Sequence, residues 1–356
     1  MICVFALVIF GLIMIFSAGV ALSLNNYGKP YYYFFHQLLY GILPGLFLWV
    51  VFQNINYRKL ERWSFLAFII TIVLLILVLI PGIGSAYKGA SRWIQMGPIN
   101  FQPTEFAKLT IILYLAAWLS RKQEKLKQFS EGFLPFVAVL ALMGILVIQQ
   151  PDVGTLGIIT IIAIVIFFLA QGKLSHLFLL GLGGLVFFYT MIKIAPYRMA
   201  RLTVFLDPAT DPRGIGYQIN QALIAIGSGG IWGIGLGHGR QKFLYLPEPV
   251  GDSIYAIICE ELGLIGGVIL LLLFLVVGWR GFIIAKNAPD LFGRLVAGGI
   301  TAWIVFQAFI NIAAITALIP LTGIPLPFVS YGSSALIVSL IATGILLNIS
   351  KYNLKH

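Results

Sequence analysis

The chain has 356 residues, of which 60% are hydrophobic and only 10% are charged. Soluble domains are about 45–50% apolar and about 25% charged, so this composition excludes an ordinary soluble protein and indicates an integral membrane protein. The net charge of +11 does not point to nucleic acid, because the basic residues fall mostly in short loops between apolar segments and report membrane topology. Cys3 and Cys259 both lie in apolar segments, which predicts packing residues and not a disulfide framework or a metal site.

Taken in chain order, ten segments are apolar enough to cross a hydrocarbon core of about 30 Å as helices of about 20 residues. The predicted spans are 2–20, 33–53, 63–82, 104–119, 133–149, 154–170, 174–193, 253–278, 293–318 and 333–349. The first has no basic stretch before it and no cleavage site after it, so it is interpreted as a span and not as a signal peptide. We therefore predict an all-α integral membrane protein of about ten transmembrane helices, with a single membrane domain over residues 1–356.

The basic residues of the loops predict the side of the membrane that each loop faces. If both termini lie on one side, the short loops on that side carry most of the lysines and arginines, and the short loops opposite carry only Lys29, Lys88 and Arg92. The positive-inside rule then places both termini in the cytoplasm.

Four segments of unusual composition lie on the outer side in this arrangement: 83–104, 149–154, 194–252 and 319–333. The large extracytoplasmic loop 194–252, between the seventh and eighth spans, is too long for a simple connector. Its apolar, glycine-rich stretch 218–237 favours a helix that lies at the interface or re-enters the bundle.

Two outer segments contain charged residues with competing interpretations. Asp152, in the hairpin QQPDVGT, is either a functional carboxylate or a helix N-cap, and the two have equal weight. Glu105 and Lys108 share a helix face at the start of a span, which favours a structural ion pair. Arg92, beside Trp93, either binds an anionic headgroup or anchors its loop.

Five cations of the long loop lie near glycine-rich and proline-rich turns, and the positive-inside rule gives no reason for them on the outer face. They predict a cradle for a phosphate-bearing substrate, with anchoring to anionic lipid as the alternative. They are Arg198, Arg201, Arg213, Arg240 and Lys242.

Asp252 ends the long loop where the eighth span begins, in the stretch YLPEPVGDSIYAIICEELG. At that boundary a carboxylate is wet enough to ionise and shielded enough to act as a base on a bound hydroxyl, with a helix N-cap as the alternative. Pro247 and Pro249 flank Glu248 and predict extended backbone there, so Glu248 is assigned a supporting contact to the loop or the substrate.

Two further features lie on the predicted outer side of the membrane, as Asp252 does. Glu260 and Glu261, two turns inside the eighth span, predict structural contacts with a cation or with polar backbone. The proline-rich stretch TGIPLPFVSYGSS (322–334) cannot be a regular helix. At membrane depth such backbone is tolerated only against protein or water, so it is predicted to line the same outer cavity.

Together these motifs resemble the SEDS family of bacterial cell-wall synthesis. The similarity runs from IFSAGV (15–20) through RWIQMGPINFQPTEFAK, QQPDVGT and GYQINQALIAIGSGGIWGIGLGHGRQKFLYLPEP to PLPFVSYGSS, and covers nearly the whole chain. Within the family, GRQKFLYLPE (239–248) is more similar to the FtsW branch than to RodA or SpoVE. The chain departs from the family pattern where VGDSI replaces HTDFI around the acid, and where Ser333 and Ala335 alter the final SYGGSS motif.

The resemblance implies a peptidoglycan glycosyltransferase that polymerises lipid II during cell division, in the bacterial inner membrane at the septum. The family's essential acid corresponds to Asp252, and the implied partners are a single-span class B penicillin-binding protein and other division proteins.

Two alternatives stay open: a lipid II flippase, and a non-catalytic scaffold for a transpeptidase. Polar residues crowd the outer side and do not cross the membrane, which favours the enzyme over the transporter. No dense ligand cluster predicts a metal site, and a divalent cation (Mg or Mn) between Asp252 and a diphosphate stays open.

Overall fold

The computed structural model describes residues 1–87, 90–97, 99–194, 196–207, 211 and 214–352. Its helices are α1 (Ile2–Ala18), α2 (Val20–Tyr27), α3 (Tyr32–Gln37), α4 (Leu43–Asn54), α5 (Tyr57–Leu77), α6 (Pro103–Arg121), α7 (Leu134–Ile148), α8 (Val153–Leu169), α9 (Leu174–Ile194), α10 (Pro196–Leu206), α11 (Ile215–Gly229), α12 (Ile254–Lys286), α13 (Leu291–Ile315) and α14 (Ser333–Lys351). A π-helical turn, Leu38–Ile42, joins α3 to α4. Every predicted span coincides with one of these helices or with the joined pair, so the chain is mostly helical as predicted.

The number of helices able to span a membrane is smaller than ten by length and composition. In the described part of the chain seven helical segments qualify, and the pair α1 and α2, bent by 60°, would make an eighth. The 17-residue helix α8 and the charged helix α6 fall outside that count. Lys88, one of the residues that entered the topology prediction, lies outside the described residues.

A three-stranded antiparallel sheet interrupts the helical pattern between α5 and α6. Its strands are β1 (Gly84–Tyr87), β2 (Ala90–Met96) and β3 (Ile99–Phe101), in the order β1-β2-β3. The sheet occupies most of segment 83–104, which the sequence analysis placed on the outer side and for which it predicted unusual composition but no strands. The long loop is also structured in part, because α10 and α11 lie within it.

The chain divides into two compact units. The first comprises Met1–Leu39, Gly184–Val276 and Gln307–Gly332. Within it, α1 lies against the segment that follows α13: a Cβ added to Gly11 would be 2.6 Å from Val329 Cα and 2.7 Å from Phe328 O. Only glycine permits this approach of helix to backbone.

The second unit comprises Tyr40–Gly183, Val277–Phe306 and Ser333–His356. Asn348 on α14 accepts a hydrogen bond from Tyr57 N–H at 2.9 Å and donates one to the carbonyl of Gln53 at 2.8 Å. The side chain thereby satisfies free backbone groups where α4 ends and α5 begins.

Asp290, in the turn between α12 and α13, also holds the start of α5. It accepts hydrogen bonds from the Tyr57 hydroxyl (2.6 Å), Arg58 Nε (2.9 Å) and the Gly293 N–H (2.7 Å). Burial alone would raise the pKa of Asp290, but these three donors favour the carboxylate and together hold its pKa below the ordinary value.

Candidate active site

Asp252 is presented by a tight turn at the start of α12. The N–H groups of Gly251 and Ser253 both donate to the carbonyl of Glu248, at 3.0 and 3.3 Å. Glu248 has φ +51, in the left-handed region. The extended backbone predicted from the flanking prolines is therefore wrong, because the chain must reverse at Glu248 for its carbonyl to face both N–H groups. Ser253, and not Asp252, immediately precedes the first helical residue.

Two amides that the sequence analysis did not single out hold this turn. Asn311 on α13 is 1% exposed, and its Nδ2 donates to the carbonyls of Asp252 and Ile324, both at 2.8 Å. Gln218 on α11 donates to Ser253 Oγ at 3.0 Å and lies 3.5 Å from Asp252 Oδ1. Both amides sit in apolar helices, and a polar residue in such a place is a signal for a functional or structural contact.

The proline-rich segment after α13 lies against the same turn. Ser330 Oγ donates to the carbonyl of Gly251 at 2.7 Å, and Tyr331 N–H donates to the carbonyl of Val250 at 2.8 Å. At Gly323 (φ +69), an added Cβ would lie 3.8 Å from Asp252 Oδ2. The segment is non-helical, as predicted, and it adjoins Asp252 within the first unit.

Helix α3 fixes that proline-rich segment from its other side. Gln37 Oε1 accepts a hydrogen bond from Gly332 N–H at 3.1 Å, and the Tyr331 hydroxyl lies 3.0 Å from His36 Nδ1. Burial, and then the neighbouring tyrosines, raise the pKa of Tyr331, so its hydroxyl stays protonated. Asp252 and Glu248 are half-buried within these surroundings, which shields their carboxylates in part from solvent.

The predicted cations of the long loop make different contacts. Arg201 Nη1 donates to the carbonyl of Leu321 at 3.0 Å, which attaches α10 to the segment beside Asp252. Arg198 donates to the carbonyl of Met191 at 3.1 Å, and the side chain of Arg240 is exposed. Arg213 lies outside the described residues.

Lys242 is buried among acceptors. Its Nζ contacts Glu261 Oε1 at 2.6 Å, Ser17 Oγ at 3.0 Å and the carbonyl of Gly237 at 2.8 Å. An ammonium group has three donors, and all three are used here. This geometry argues against the phosphate-binding role predicted for Lys242.

The acids inside α12 make the structural contacts that the sequence predicted. Glu261 is 0% exposed and pairs with Lys242, while it also accepts hydrogen bonds from the Ser17 hydroxyl and Gly237 N–H. Glu260 Oε1 accepts from the N–H groups of Arg240 and Gln241, at 2.8 and 3.2 Å. The two carboxylates thus fix the backbone of the loop that leads to Asp252.

The second unit contains the other predicted site residues. Asp152 caps α8, accepting from Thr155 N–H at 3.1 Å and Thr155 Oγ1 at 2.8 Å. Arg92 donates to the carbonyls of Gln150 and Pro151 and so anchors β2 to the hairpin. The helix-cap and anchor interpretations therefore describe the contacts of Asp152 and Arg92, and a substrate role for either stays a prediction.

The ion pair expected between Glu105 and Lys108 is present. Lys108 Nζ lies 2.8 Å from Glu105 Oε1, both side chains are 2% exposed, and the ammonium also lies 5.0 Å from the centre of the Trp303 ring. A buried lysine needs such partners, because desolvation of an unpaired charge costs several kcal/mol.

The described residues contain no group of three or more His, Cys, Asp or Glu side chains that could enclose a metal ion. Mg²⁺ usually takes one or two carboxylates together with substrate phosphates and water. Asp252, half-buried at the turn, fits that pattern as a single protein ligand.

The fold and the site define a class: a multi-pass membrane protein with an aspartate held at the start of a long apolar helix by neighbouring loop and helix amides. The profile of the cell cycle protein family of FtsW, RodA and SpoVE matches residues 1–355. The chain belongs to this family, as the motif resemblance indicated.

Individual relatives agree with that membership. Stage V sporulation protein E of Bacillus subtilis is 44% identical, with coverage of 96% of this chain and 93% of the relative. The probable peptidoglycan glycosyltransferase FtsW of Trichlorobacter lovleyi is 40% identical, with coverage of 98% and 91%. Relatives of both names match to a similar degree, so overall identity places the chain in the family and not on one branch.

Solved structures have the same fold. A chain from a study of the structural coordination of polymerization and crosslinking by a peptidoglycan synthase complex superposes with a TM-score of 0.81 at 27% identity, over 98% of this chain and 96% of that one. The rod shape determining protein RodA of Thermus thermophilus superposes with a TM-score of 0.72 at 25% identity, over 100% of this chain and 96% of that one.

Proposed function

We propose that this protein is a peptidoglycan glycosyltransferase that polymerises lipid II, with Asp252 as its general base. The observation that carries the proposal is the half-buried carboxylate of Asp252 at the start of α12, on a backbone that Asn311 holds by a hydrogen bond to the Asp252 carbonyl. The relatives of the chain include a probable peptidoglycan glycosyltransferase. A base at this position needs to be ionised before it acts and close to a bound hydroxyl while it acts.

The reaction follows from this placement. Asp252 accepts the proton of the acceptor sugar's 4-hydroxyl while that oxygen forms a bond to the donor's anomeric carbon. The bond from that carbon to the diphosphate oxygen breaks, with inversion at the carbon, and polyprenyl diphosphate leaves. Arg201, attached to the segment beside Asp252, and the exposed Arg240 are the cations assigned to the negative charge of the leaving group. A divalent cation held by Asp252 would supply further charge neutralisation for the diphosphate.

A flippase is the second candidate. It would need polar groups along a path through the membrane, and the buried charges of the second unit, Glu105 and Lys108, are the strongest observation in its favour. Their mutual pairing supports a structural role instead, so the enzyme remains the proposal.

The protein is assigned to the bacterial plasma membrane with both termini in the cytoplasm, and to the division septum. Its proposed partner is a class B penicillin-binding protein with a single span, which would cross-link the strands that this chain makes. The synthase complex among the structural neighbours, with its coordinated polymerization and crosslinking, supports this pairing.

The test is polymerisation of purified lipid II with and without the partner. Asp252→Asn keeps the side-chain shape but removes the base, so polymer should nearly vanish, since a positioned base contributes about 10²–10⁴-fold. Glu248→Gln should reduce the rate more mildly. Glu124→Gln, which removes an exposed carboxylate in the second unit, is the control and should retain the rate. Full polymer from Asp252→Asn would refute the assignment.

A further inference from the structure

Helix α12 is broken at Gly263, and the long loop fills the break. Gly263 has φ 68 and ψ −169, far from helical values. The carbonyls of Glu260 and Glu261 accept hydrogen bonds from the N–H groups of Ile234 and Gly235, at 3.1 and 3.0 Å. Beyond the break, Leu264 N–H donates to the carbonyl of Gly230 at 2.9 Å. The loop thereby replaces helical bonds that the break removes.

Close backbone contact fixes the loop to the helix. A Cβ added to Gly233 would lie 2.2 Å from Glu261 O, and one added to Gly263 would lie 2.3 Å from Gly233 N. Neither position has room for a side chain. The position of the loop tip (residues 230–235) along α12 is therefore set at Gly263.

The surroundings of α12 change at the break. Every residue from Ile254 to Glu261 is buried. After Gly263, one face of the helix carries exposed apolar side chains at helical spacing: Leu264, Ile265, Val268, Ile269, Leu272, Leu275 and Val276. Apolar side chains that repeat along one outward face of a membrane helix contact lipid.

The length of the second part of α12 agrees with that change. Leu264–Lys286 contains 23 residues, which is about 34 Å of helix. The hydrocarbon core is about 30 Å thick, so this part alone can span it. The residues before Gly263 are then not needed to cross the membrane.

The loop tip presents large apolar side chains at this same level. Trp232 is 81% exposed and Ile231 is 60% exposed, next to Leu264, which is also 60% exposed. Tryptophan is enriched where hydrocarbon meets the headgroups, because its ring is apolar and its N–H is polar.

We propose that the outer boundary of the hydrocarbon lies at Gly263 and that Ile231 and Trp232 insert into the interfacial layer of the bilayer there. The partner of this surface is the lipid bilayer itself. The eighth span is then 264–286 in place of 253–278, and Asp252 stands up to about 15 Å above the hydrocarbon. This inference rests on the membrane location of the family and is independent of the proposed reaction.

The experiment measures tryptophan quenching by lipids that are brominated either near the glycerol backbone or near the chain ends. The protein is placed in nanodiscs of each lipid, and because the chain has seven tryptophans, the Trp232 signal is the difference between wild type and Trp232→Phe. Leu272→Trp in the Trp232→Phe background marks a deeper exposed position on α12, about 12 Å below the break.

We expect the Trp232 signal to be quenched more by bromine near the glycerol backbone, and the Leu272→Trp signal more by bromine near the chain ends. Stronger quenching of Trp232 by the deep bromines would overturn the proposal, because the tip would lie inside the hydrocarbon. Quenching by aqueous iodide without quenching by bromine would place the tip in water and overturn it as well. Protection from both quenchers would show that protein covers the tip, which also contradicts the proposal.

Discussion

At the scale of single residues, Asn311 holds the backbone of the proposed base. Its amide joins the carbonyl of Asp252 to that of Ile324, so one group sets both the turn and the segment beside it. Sequence alone predicted Asp252 from its place at the end of a loop. It did not predict Asn311, because a lone asparagine in an apolar helix gives no indication of which backbone atoms it will meet.

We predict that Asn311→Ala lowers both stability and polymerisation. The carbonyls of Asp252 and Ile324 lose their donor, and an unsatisfied group costs about 1–3 kcal/mol where it is buried, as it is at Ile324. The maximal polymerisation rate should fall more than the affinity for lipid II, because the base moves while the substrate contacts remain. Thermal unfolding and initial rates at several lipid II concentrations measure the two effects. A variant with lowered stability but an unchanged maximal rate would show that Asn311 does not position Asp252.

The residues that surround Lys242 in the sequence explain why it was assigned to the substrate. It lies between a glycine-rich stretch that ends at Gly239 and the prolines Pro247 and Pro249, and such a sequence is typical of an exposed binding loop. Its partners Ser17 and Glu261 lie 225 and 19 residues away in the sequence, and only the folded loop brings them to its ammonium group.

At the scale of elements, the pair Glu105 and Lys108 within α6 gives a prediction about charge. Removing one member strands the other in a buried place, at a cost of about 3–5 kcal/mol. We therefore expect Glu105→Ala and Lys108→Ala each to lower the unfolding temperature and the yield of polymer, and the exchange Glu105→Lys with Lys108→Glu to be milder than either. Thermal unfolding in detergent checks the order. Two single variants that fold and polymerise normally would show that the pair is dispensable.

The turn between α12 and α13 gives a prediction about pH. The pKa of Asp290 is lowered in the folded protein, so its contribution to stability is present above the ordinary carboxyl pKa of about 4 and is lost as pH falls through the folded value. Asp290→Asn should lower the unfolding temperature at neutral pH, and the gap from wild type should narrow as the pH falls below about 4. A gap that stays constant over this range would mean that the charge of Asp290 contributes nothing.

The helices and strands also show how much of this fold could be predicted from the sequence. Ten apolar runs predicted the positions of the helices well, because each run must be hydrogen-bonded within itself in lipid. The sheet was missed, since β1 and β3 are short and the seven-residue strand β2 has no clear alternation of polar and apolar residues. The break at Gly263 was missed because the apolar run continues through it, and nothing local shows that a loop from earlier in the chain inserts there.

At the scale of the whole molecule, we predict that the protein is weak alone and active with its transpeptidase. The expectation rests on a structural neighbour from a peptidoglycan synthase complex that coordinates polymerization and crosslinking. Co-purification of the chain with a class B penicillin-binding protein from the same genome, followed by lipid II polymerisation, tests this. Equal rates with and without the partner, or no association in detergent, would contradict the prediction.

The contact of Gly11 with Val329 has a consequence for the biogenesis of the protein. Val329 is made 318 residues after Gly11. At a synthesis rate of about 5–20 residues per second, about 15–60 s pass between the synthesis of Gly11 in α1 and the synthesis of Val329, which α1 contacts. During that interval the face of α1 around Gly11 lacks its native cover. Closure of the first unit is therefore a late event in the biosynthesis of the protein. Nascent chains stalled before residue 329 should retain a protease-sensitive long loop (194–252).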